Sequence, residues 1–455
     1  EVQVTGTVTE FVPSSDPLQP PLTELTSPTT TLISIGNPLP TAISLSTSFP
    51  SPTGPFDQLE RLEGMRVVLP ELTVVAPTQG NISEANATAT SNGVFYGVLG
   101  TARPFREAGI QAPDPAPSGS IPPIPRFDSN PERIRVDSDG LVGGIALDVN
   151  VGARVNGIVG PLDYSARTYT VLPDPGSPPS VIVGPPPSAA SVPTAQEVTI
   201  AGYNLLRFYD TADDPLRSEP ILTSAAFTER LRRASQGIRS FLRTPDIVGV
   251  VEVENLSTLQ ALATRISSDA LAIGDPDPLY QAFLIEGNDV GGIDVGFLVK
   301  SALVGPARPR VNVLSVSQAL AGTLLVNPDT STELLNDRPP LVLEAEIRTA
   351  TSSYPVTVIV NHLRSLNGVG DPGVASNGWA SVGARVRAKR QRQAEDLAAY
   401  VQSRQLANPN ENIVLAGDFN AFEVNDGYAH VLATIAGTPA PDNETVVPGD
   451  GLDLV

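Results

Sequence analysis

Short apolar runs separated by turn-forming residues fill the first 190 residues. Apolar and polar positions alternate in VQVTGTVTEF (2–11) and MRVVLPELTVV (65–75), and similar runs follow at 93–100, 141–149 and 153–160. No 3.6-residue period runs through these segments, so the pattern predicts β-strands. The glycines inside them suit the tight bends of a small closed barrel. We therefore predict an all-β first half.

The pattern changes beyond residue 195, where apolar strands alternate with amphipathic helices. Apolar residues step by 4, 3, 4 and 3 from Phe227 to Phe241, which predicts one buried helix face. A longer helix is predicted over 384–404. The predicted strands lie at 198–208, 246–255, 292–300, 355–363 and 411–420. Strands and helices in alternation predict a domain of the mixed α and β type.

A proline-rich segment at 173–195 separates the two patterns. It holds eight prolines and no regular apolar period, which is typical of a semi-extended connection. The chain is therefore predicted to have a domain over residues 1–190, ending in this connection, and a second domain over 196–455. The fold class expected for the whole chain is α+β.

Composition narrows the classes of protein that remain. The 455 residues carry 29 Lys and Arg against 49 Asp and Glu, a net charge of −20, which argues against binding nucleic acid by bulk electrostatics. Absence of cysteine excludes disulfides, thiolate metal sites and cysteine nucleophiles. No run reaches the roughly 18 apolar residues of a membrane span. The start at Glu1, without a signal-peptide pattern, indicates a processed or excised chain.

Polar residues close several of the apolar strands in the second half. They are Asn204, Glu252, His362, Asp418 and Asn420. Strand ends are rigid places from which to aim reactive side chains. Carboxylate and amide oxygens suit Mg²⁺, Mn²⁺ or Ca²⁺, and a histidine beside such an ion suits hydrogen bonding or proton transfer to a phosphoryl oxygen.

Each of these residues also has a structural interpretation when taken alone. Asn204 could cap a turn, Glu252 could pair with an arginine, and His362 could be a hydrogen-bonded core histidine. Asp418 and Asn420 could form a turn after their strand. The second histidine, His430, is interpreted as structural, on the surface of a helix.

The order of the motifs VVEVEN, VNHLRS and LAGDFNAFEVNDGY resembles the endonuclease/exonuclease/phosphatase superfamily, whose members include DNase I-like nucleases, inositol polyphosphate phosphatases and sphingomyelinases. The resemblance covers about 197–455. GDFNAF, EVEN, DVGFLVK (294–300) and NDRPPL (336–341) look most like the bacterial extracellular nucleases of that superfamily.

The resemblance implies a fold and a role for each strand-end residue. The fold is a two-sheet α/β sandwich with outer helices. Asn204 and Glu252 would hold the divalent metal, with Glu252 as the main anionic ligand. His362 would hydrogen-bond the scissile phosphate, Asp418 would orient or activate the attacking water, and Asn420 would steady the phosphate.

Two positions depart from the superfamily pattern. The final Asp-His motif, which supplies the usual general base, has no counterpart after GDFN, and Leu452–Leu454 resembles it only superficially. We therefore expect the C-terminal strand to be missing, an unpaired edge in the second sheet, and little activity from residues 1–455 alone. Arg364 stands where many relatives carry lysine, which keeps a cation but changes its geometry.

Two further segments have open interpretations. The first half resembles, more weakly, the OB-like module that precedes the nuclease domain in some of these enzymes, and it is either a nucleic-acid-binding module or a structural spacer. Residues 1–195 hold nine Lys and Arg against eighteen Asp and Glu, and show no basic groove. The basic run between Arg385 and Arg392 is either a solvated helix face or a contact to backbone phosphates.

These observations favour a secreted bacterial phosphodiesterase that requires Mg²⁺ or Mn²⁺, with Ca²⁺ as a further candidate. Its expected partner is a nucleic acid substrate, DNA or RNA. The alternatives are a phosphatase or a sphingomyelinase-type phosphodiesterase of the same superfamily, and a catalytically inactive protein that binds a surface.

Overall fold

The computed structural model describes residues 1–14, 19–111 and 124–447. The chain divides into two compact units. The first unit comprises Glu1–Ile82 and Ala89–Pro186, and the second comprises Pro187–Val455 together with the short segment Ser83–Thr88.

The structure before residue 187 is made of β-strands, as the alternating pattern predicts. In chain order the strands are β1 (Val2–Phe11), β2 (Leu22–Leu32), β3 (Ile43–Ser44), β4 (Arg66–Ala76), β5 (Gly80–Ser83), β6 (Thr88–Ser91), β7 (Val94–Leu99), β8 (Ile110–Gln111), β9 (Arg126–Phe127), β10 (Ile134–Asp137), β11 (Arg154–Ser165), β12 (Thr168–Val171) and β13 (Ser180–Ile182). A single 3₁₀ turn, Glu60–Leu62, precedes β4.

Five of these strands close into a ring. The order is β4, β7, β10, β12 and β11, and β11 pairs again with β4. All of these pairings are antiparallel except that of β10 with β12, which is parallel. Alternate residues of β4, such as Leu72 and Val74, are buried with Ile134 and Ile158 in the core of the ring. Alternation in the sequence therefore corresponds to one side of each strand facing inward.

One sequence-based expectation in this half is wrong, and the structure adds a short strand to a second. Residues 141–149 form a turn followed by a segment without strand pairing, and Gly143, with a φ of +89°, takes the backbone out of the β region within that turn. The predicted connection at 173–195 contains β13, which pairs with β11 through Arg154 and Ile182. Its apolar SVIV segment lies between prolines, and the periodicity of the sequence does not show that this segment pairs with another strand.

The second unit contains both strands and helices, so the predicted α+β class is confirmed. Its elements are β14 (Ile200–Phe208), α1 (Ser224–Gln236), β15 (Ile247–Val253), α2 (Leu256–Ala272), β16 (Tyr280–Leu284), β17 (Asp294–Lys300), β18 (Leu303–Gly305), β19 (Arg308–Pro309), β20 (Val311–Gln318), β21 (Leu324–Val326), β22 (Thr332–Leu334), β23 (Leu341–Arg348), β24 (Ser353–His362), α3 (Val382–Ala407), β25 (Ile413–Asp418) and α4 (Val431–Ile435). A π-helical turn, Gly237–Phe241, continues α1.

Two four-stranded sheets form the centre of this unit. Their strand orders are β14-β15-β17-β16 and β20-β23-β24-β25. Val251 and Phe297 of the first sheet pack against Leu343 and Val358 of the second. On the outer faces, α1 and α2 cover the first sheet and α3 covers the second. The result is a sandwich of two sheets with helices outside.

Strand direction brings the chemically interesting residues together. The parallel pairs in the two sheets are β14 with β15 and β24 with β25, and in the second pair His362 lies opposite Asp418. Carboxyl ends of parallel neighbours meet at the same edge of a sheet. The sheets also approach closely, since a Cβ on Gly202 of β14 would lie 3.2 Å from the backbone nitrogen of Gly417 in β25.

Two expectations concern the end of the chain and membrane insertion. Within the described residues β25 is an edge strand of its sheet, and Leu452–Leu454 lie outside those residues. None of the described helices is both long enough and apolar enough to cross a membrane.

Candidate functional site

Glu252 lies at an irregularity one residue before the end of β15. The pairing of β15 with β17 shifts between Val251 and Val253, so Glu252 is the extra residue of a bulge, with a φ of +62°. A non-glycine residue at positive φ costs about 1–3 kcal/mol and persists only where its surroundings hold it. Both neighbouring valines are fully buried. The bulge therefore turns the carboxylate away from the core and toward the strand ends.

Asn204 joins two carboxylates that come from different sheets. Its Nδ2 donates to Oε1 of Glu252 at 2.9 Å and to Oδ2 of Asp418 at 3.1 Å. Its Oδ1 accepts from the backbone nitrogen of Leu206 at 2.8 Å, and the backbone nitrogen of Arg207 donates to Oε2 of Glu252. In this arrangement the amide presents its nitrogen to the carboxylates, so Asn204 links the anionic groups and its oxygen faces the backbone.

His362 is the buried member of the site. Its side chain is 5% exposed, and Nε2 lies 3.8 Å from Oε1 of Glu252. Burial, helped by the positive charge of Arg338 and opposed by Asp418, lowers the pKa of His362 to about 4. The imidazole is therefore neutral at pH 7. Its Nδ1 is buried with no hydrogen-bond partner among the described residues.

Asp418 and Asn420 organise the turn after β25. Oδ1 of Asp418 accepts from the backbone nitrogen of Asn420 at 2.8 Å, and Asn420 has a φ of +50°. Nδ2 of Asn420 donates to the carbonyl of Leu363 at 2.9 Å, directly after His362. The side chain of Asn420 thus connects the two strand ends, while its predicted contact with a phosphate stays a prediction.

The geometry fits a hard divalent cation. One ligand atom from each of Glu252, His362 and Asp418 lies within 4.8 Å of the other two. The N–H donors of Asn204 already face both carboxylates, which marks that space as favourable for positive charge. Oxygen donors with a single imidazole suit Mg²⁺ or Mn²⁺. The structure thus brings all five predicted residues together, and it adds Asp418 to the candidate metal ligands.

Arg338 is a residue of this site that the sequence analysis did not single out. Its side chain is about one-tenth exposed, and its guanidinium NH1 donates to Oδ2 of Asp289 at 3.2 Å. It is close enough to lower the pKa of His362. The segment NDRPPL contains this arginine. Because that segment is part of the resemblance, the sequence did hold a signal for Arg338.

Three of the five cations in the basic run at the start of α3 have neither of the two predicted roles. Arg387, Lys389 and Arg390 are buried, so they belong to no solvated face and are not open to a nucleic acid backbone. Arg385 and Arg392 are partly exposed, and each pairs with a carboxylate. Lys389 pairs with Asp337 at 3.0 Å and Arg390 with Asp426 at 3.2 Å. The counter-charges lie on loops far away in the sequence, so local pattern could not show them.

Two other residues noted in the sequence, His430 and Arg364, have surroundings of their own. His430 is partly buried and immediately precedes α4, and burial lowers its pKa. It is not a member of the group formed by Glu252, His362 and Asp418. Arg364 follows His362 by two residues, and its NH2 donates to the carbonyl of Asn367 at 3.2 Å.

Comparison with known proteins gives one family match and several similar structures. A family model described as a domain of unknown function (DUF8508) matches residues 22–181. No curated protein matches the sequence. A β-hairpin deletion mutant of beta toxin from Staphylococcus aureus is 14% identical, with 50% of this chain and 68% of that chain covered and a TM-score of 0.30.

Two further solved structures are similar to this chain, with comparable identity, coverage and TM-score. A humanized TDP2 of D. rerio is 18% identical, with 54% of this chain and 68% of that chain covered and a TM-score of 0.27. An endonuclease/exonuclease/phosphatase family protein from Bacteroides thetaiotaomicron is 14% identical, with 49% and 63% covered and a TM-score of 0.28. At these values the chemistry of the site has to be argued from its own geometry.

Proposed function

We propose that the second unit is a divalent-metal-dependent phosphodiester hydrolase of the endonuclease/exonuclease/phosphatase superfamily. The observation that carries this proposal is the convergence of Glu252, His362 and Asp418, whose ligand atoms lie within 4.8 Å of one another. These residues belong to the EVEN, NHL and GDFN motifs on which the sequence resemblance rests. Geometry and motif thus point to the same side chains.

Each residue has a role that follows from its surroundings. A bound divalent ion supplies charge neutralisation and lowers the pKa of a coordinated water. Glu252 and Asp418 hold the cation, and Asn204 keeps the two carboxylates together. Neutral His362 donates one ring N–H to a phosphoryl oxygen, where negative charge grows during the reaction. Asp418 also orients the attacking water and accepts its proton.

Within this class we propose an extracellular nuclease that cleaves DNA or RNA, because the GDFNAF, EVEN and NDRPPL segments look most like that branch of the superfamily. For the first unit we infer an OB-like module. The ring of five strands with one parallel pair, β10 with β12, supports this inference. OB-type barrels are partly open five-stranded barrels that bind oligonucleotides or oligosaccharides.

The test is hydrolysis of four substrates by the natural full-length protein in Mg²⁺ or Mn²⁺, with chelator and Glu252→Gln as matched negative controls. The substrates are plasmid DNA, RNA, an inositol phosphate and sphingomyelin. Cleavage of DNA or RNA by the wild type, but not by Glu252→Gln and not in the presence of chelator, supports the assignment as a nuclease. Hydrolysis of only inositol phosphate or sphingomyelin replaces it with a phosphatase or a phospholipase. No hydrolysis of any substrate overturns the assignment as an enzyme.

A further inference from the structure

Arg390 is among the most deeply buried side chains of the second unit, with 1% of its surface exposed. Its guanidinium NH2 donates to Oδ2 of Asp426 at 3.2 Å. Oδ1 of Asp426 in turn accepts from the backbone nitrogens of Tyr428 and Ala429 at 2.9 and 3.0 Å. One end of the guanidinium is therefore fixed to a carboxylate that is itself held in place.

The other end of the same guanidinium connects the two strand ends that form the site. NH1 donates to the carbonyl of Arg364 at 2.7 Å and to the carbonyl of Asn420 at 2.8 Å. Arg364 follows His362 by two residues, and Asn420 follows Asp418 by two. A planar guanidinium that donates to two carbonyls holds their separation in a way that a single point charge does not.

The next turn of α3 reinforces this connection. Oε1 of Gln393 accepts from the backbone nitrogen of Arg364 at 2.8 Å, and its Nε2 donates to the carbonyl of Leu335 at 3.1 Å. Arg390 and Gln393 are three residues apart, so they lie on the same side of the helix. One face of α3 thus contacts the chain after β24, the chain after β25 and the segment that leads to Arg338.

We propose that Arg390 is a positioning residue of the active site, which holds His362 and Asp418 in register through the backbone that follows each of them. This inference rests on the proposed function. Arg390 contacts neither the candidate metal ligands nor the space between them, and it acts through the carbonyls of Arg364 and Asn420. Gln393 supports it by holding the backbone nitrogen of Arg364.

The decisive variant is Arg390→Lys, because it keeps a cation beside Asp426 and removes the planar fork. The matched control is Arg392→Lys on the same helix, whose side chain is 48% exposed and pairs with Asp396. Activity is measured on bis(p-nitrophenyl) phosphate with Mn²⁺, per folded molecule. We expect kcat of Arg390→Lys to fall by on the order of 10²-fold with KM nearly unchanged, as for a small misplacement of catalytic groups.

Two further measurements separate positioning from loss of metal or of fold. Mn²⁺ affinity should fall far less than kcat, by no more than about 10-fold, because the hydrogen bonds of Arg390 reach the backbone after Asp418 and do not reach Glu252, the other carboxylate that holds the cation. The backbone amides of Leu363 and Asn420, which donate to the carbonyl and to Oδ1 of Asp418, should exchange faster with solvent. The amides of Val358 and Val360, earlier in β24, should not change.

If Arg390→Lys has the same kcat and the same amide exchange rates as Arg392→Lys, the positioning role is overturned. A parallel loss of Mn²⁺ affinity and of folded protein would overturn it as well, since that result indicates a purely structural arginine. If Arg390→Lys does not fold, Asp426→Asn is tested in its place, because it loosens the same guanidinium from its other end. A wild type that hydrolyses no phosphodiester refutes the proposed function, and amide exchange then decides the positioning separately.

Discussion

Nε2 of His362 lies 3.8 Å from Oε1 of Glu252, although the two residues belong to different β-sheets. His362 ends β24 of the second sheet, and Glu252 occupies the bulge of β15 in the first. The site therefore spans the sandwich, and its geometry depends on how the sheets pack. The close approach of Gly202 to Gly417 lies in the same part of the sandwich.

Glu252→Gln should weaken the binding of Mn²⁺ while the fold is kept. The substitution removes an anionic ligand and retains the size of the side chain, so a loss of about 10-fold or more in affinity is expected. Calorimetric titration with Mn²⁺ measures it. Glu229→Gln, on the exposed surface of α1, is the matched control. Equal affinities of the two variants would show that Glu252 is not a ligand.

His362→Ala should lower kcat far more than it raises KM. His362 is neutral and buried, and the proposed N–H donation to the phosphoryl oxygen strengthens only as negative charge develops. Loss of such a donor costs about 10²–10³ in rate. Steady-state kinetics on the preferred substrate measure this effect, with His430→Ala as the control. Near-normal kcat in His362→Ala would make this histidine a structural residue.

Gly417→Ala should destabilise the second unit. Gly417 has a φ of +114°, and a Cβ there would lie 2.1 Å from the carbonyl oxygen of Asn361. Positive φ and overpacking together are expected to cost about 3 kcal/mol. Urea unfolding measures the loss, and Gly322→Ala, which has open space around its Cβ, should stay within about 0.5 kcal/mol of the wild type. Similar values for both variants would contradict the packing described here.

Asp294→Asn should flatten the dependence of stability on pH. Asp294 is 2% exposed, and burial, together with the neighbouring carboxylate of Glu286, raises its pKa; Arg217 opposes this. The folded chain therefore holds this proton more tightly than the unfolded chain does. The resulting stabilisation is complete below the unfolded pKa of about 3.9 and is lost as pH rises through the folded pKa.

Thermal unfolding at pH 5 and pH 9 measures this dependence. The asparagine variant cannot ionise at position 294, so its midpoint should fall less between these two values than that of the wild type. Asp275→Asn, at an exposed position, should follow the wild type. If Asp294→Asn and the wild type lose the same stability between pH 5 and pH 9, the buried carboxyl does not have a raised pKa.

Local sequence pattern predicted two helices and five of the twelve described strands of the second unit. The predicted helix over 384–404 is α3 (Val382–Ala407), and the predicted strand over 411–420 is β25 (Ile413–Asp418). Apolar periodicity shows these elements because each one buries a single face. The same pattern was misleading at 141–149, where Gly143 takes the backbone out of the β region.

The sequence also identified the side chains that the structure brings together, since polar residues at the ends of apolar strands are recognisable one strand at a time. Only the tertiary structure decided how they are arranged. Contacts between distant segments determine the bulge that turns Glu252, the pair of carboxylates that Asn204 joins, and the acidic partners of Lys389 and Arg390. Asp337 is 52 residues from Lys389, and Asp418 is 214 from Asn204. Periodicity reports which face of an element is buried, whereas the partner of a buried polar group is determined by the packing of the sheets and helices.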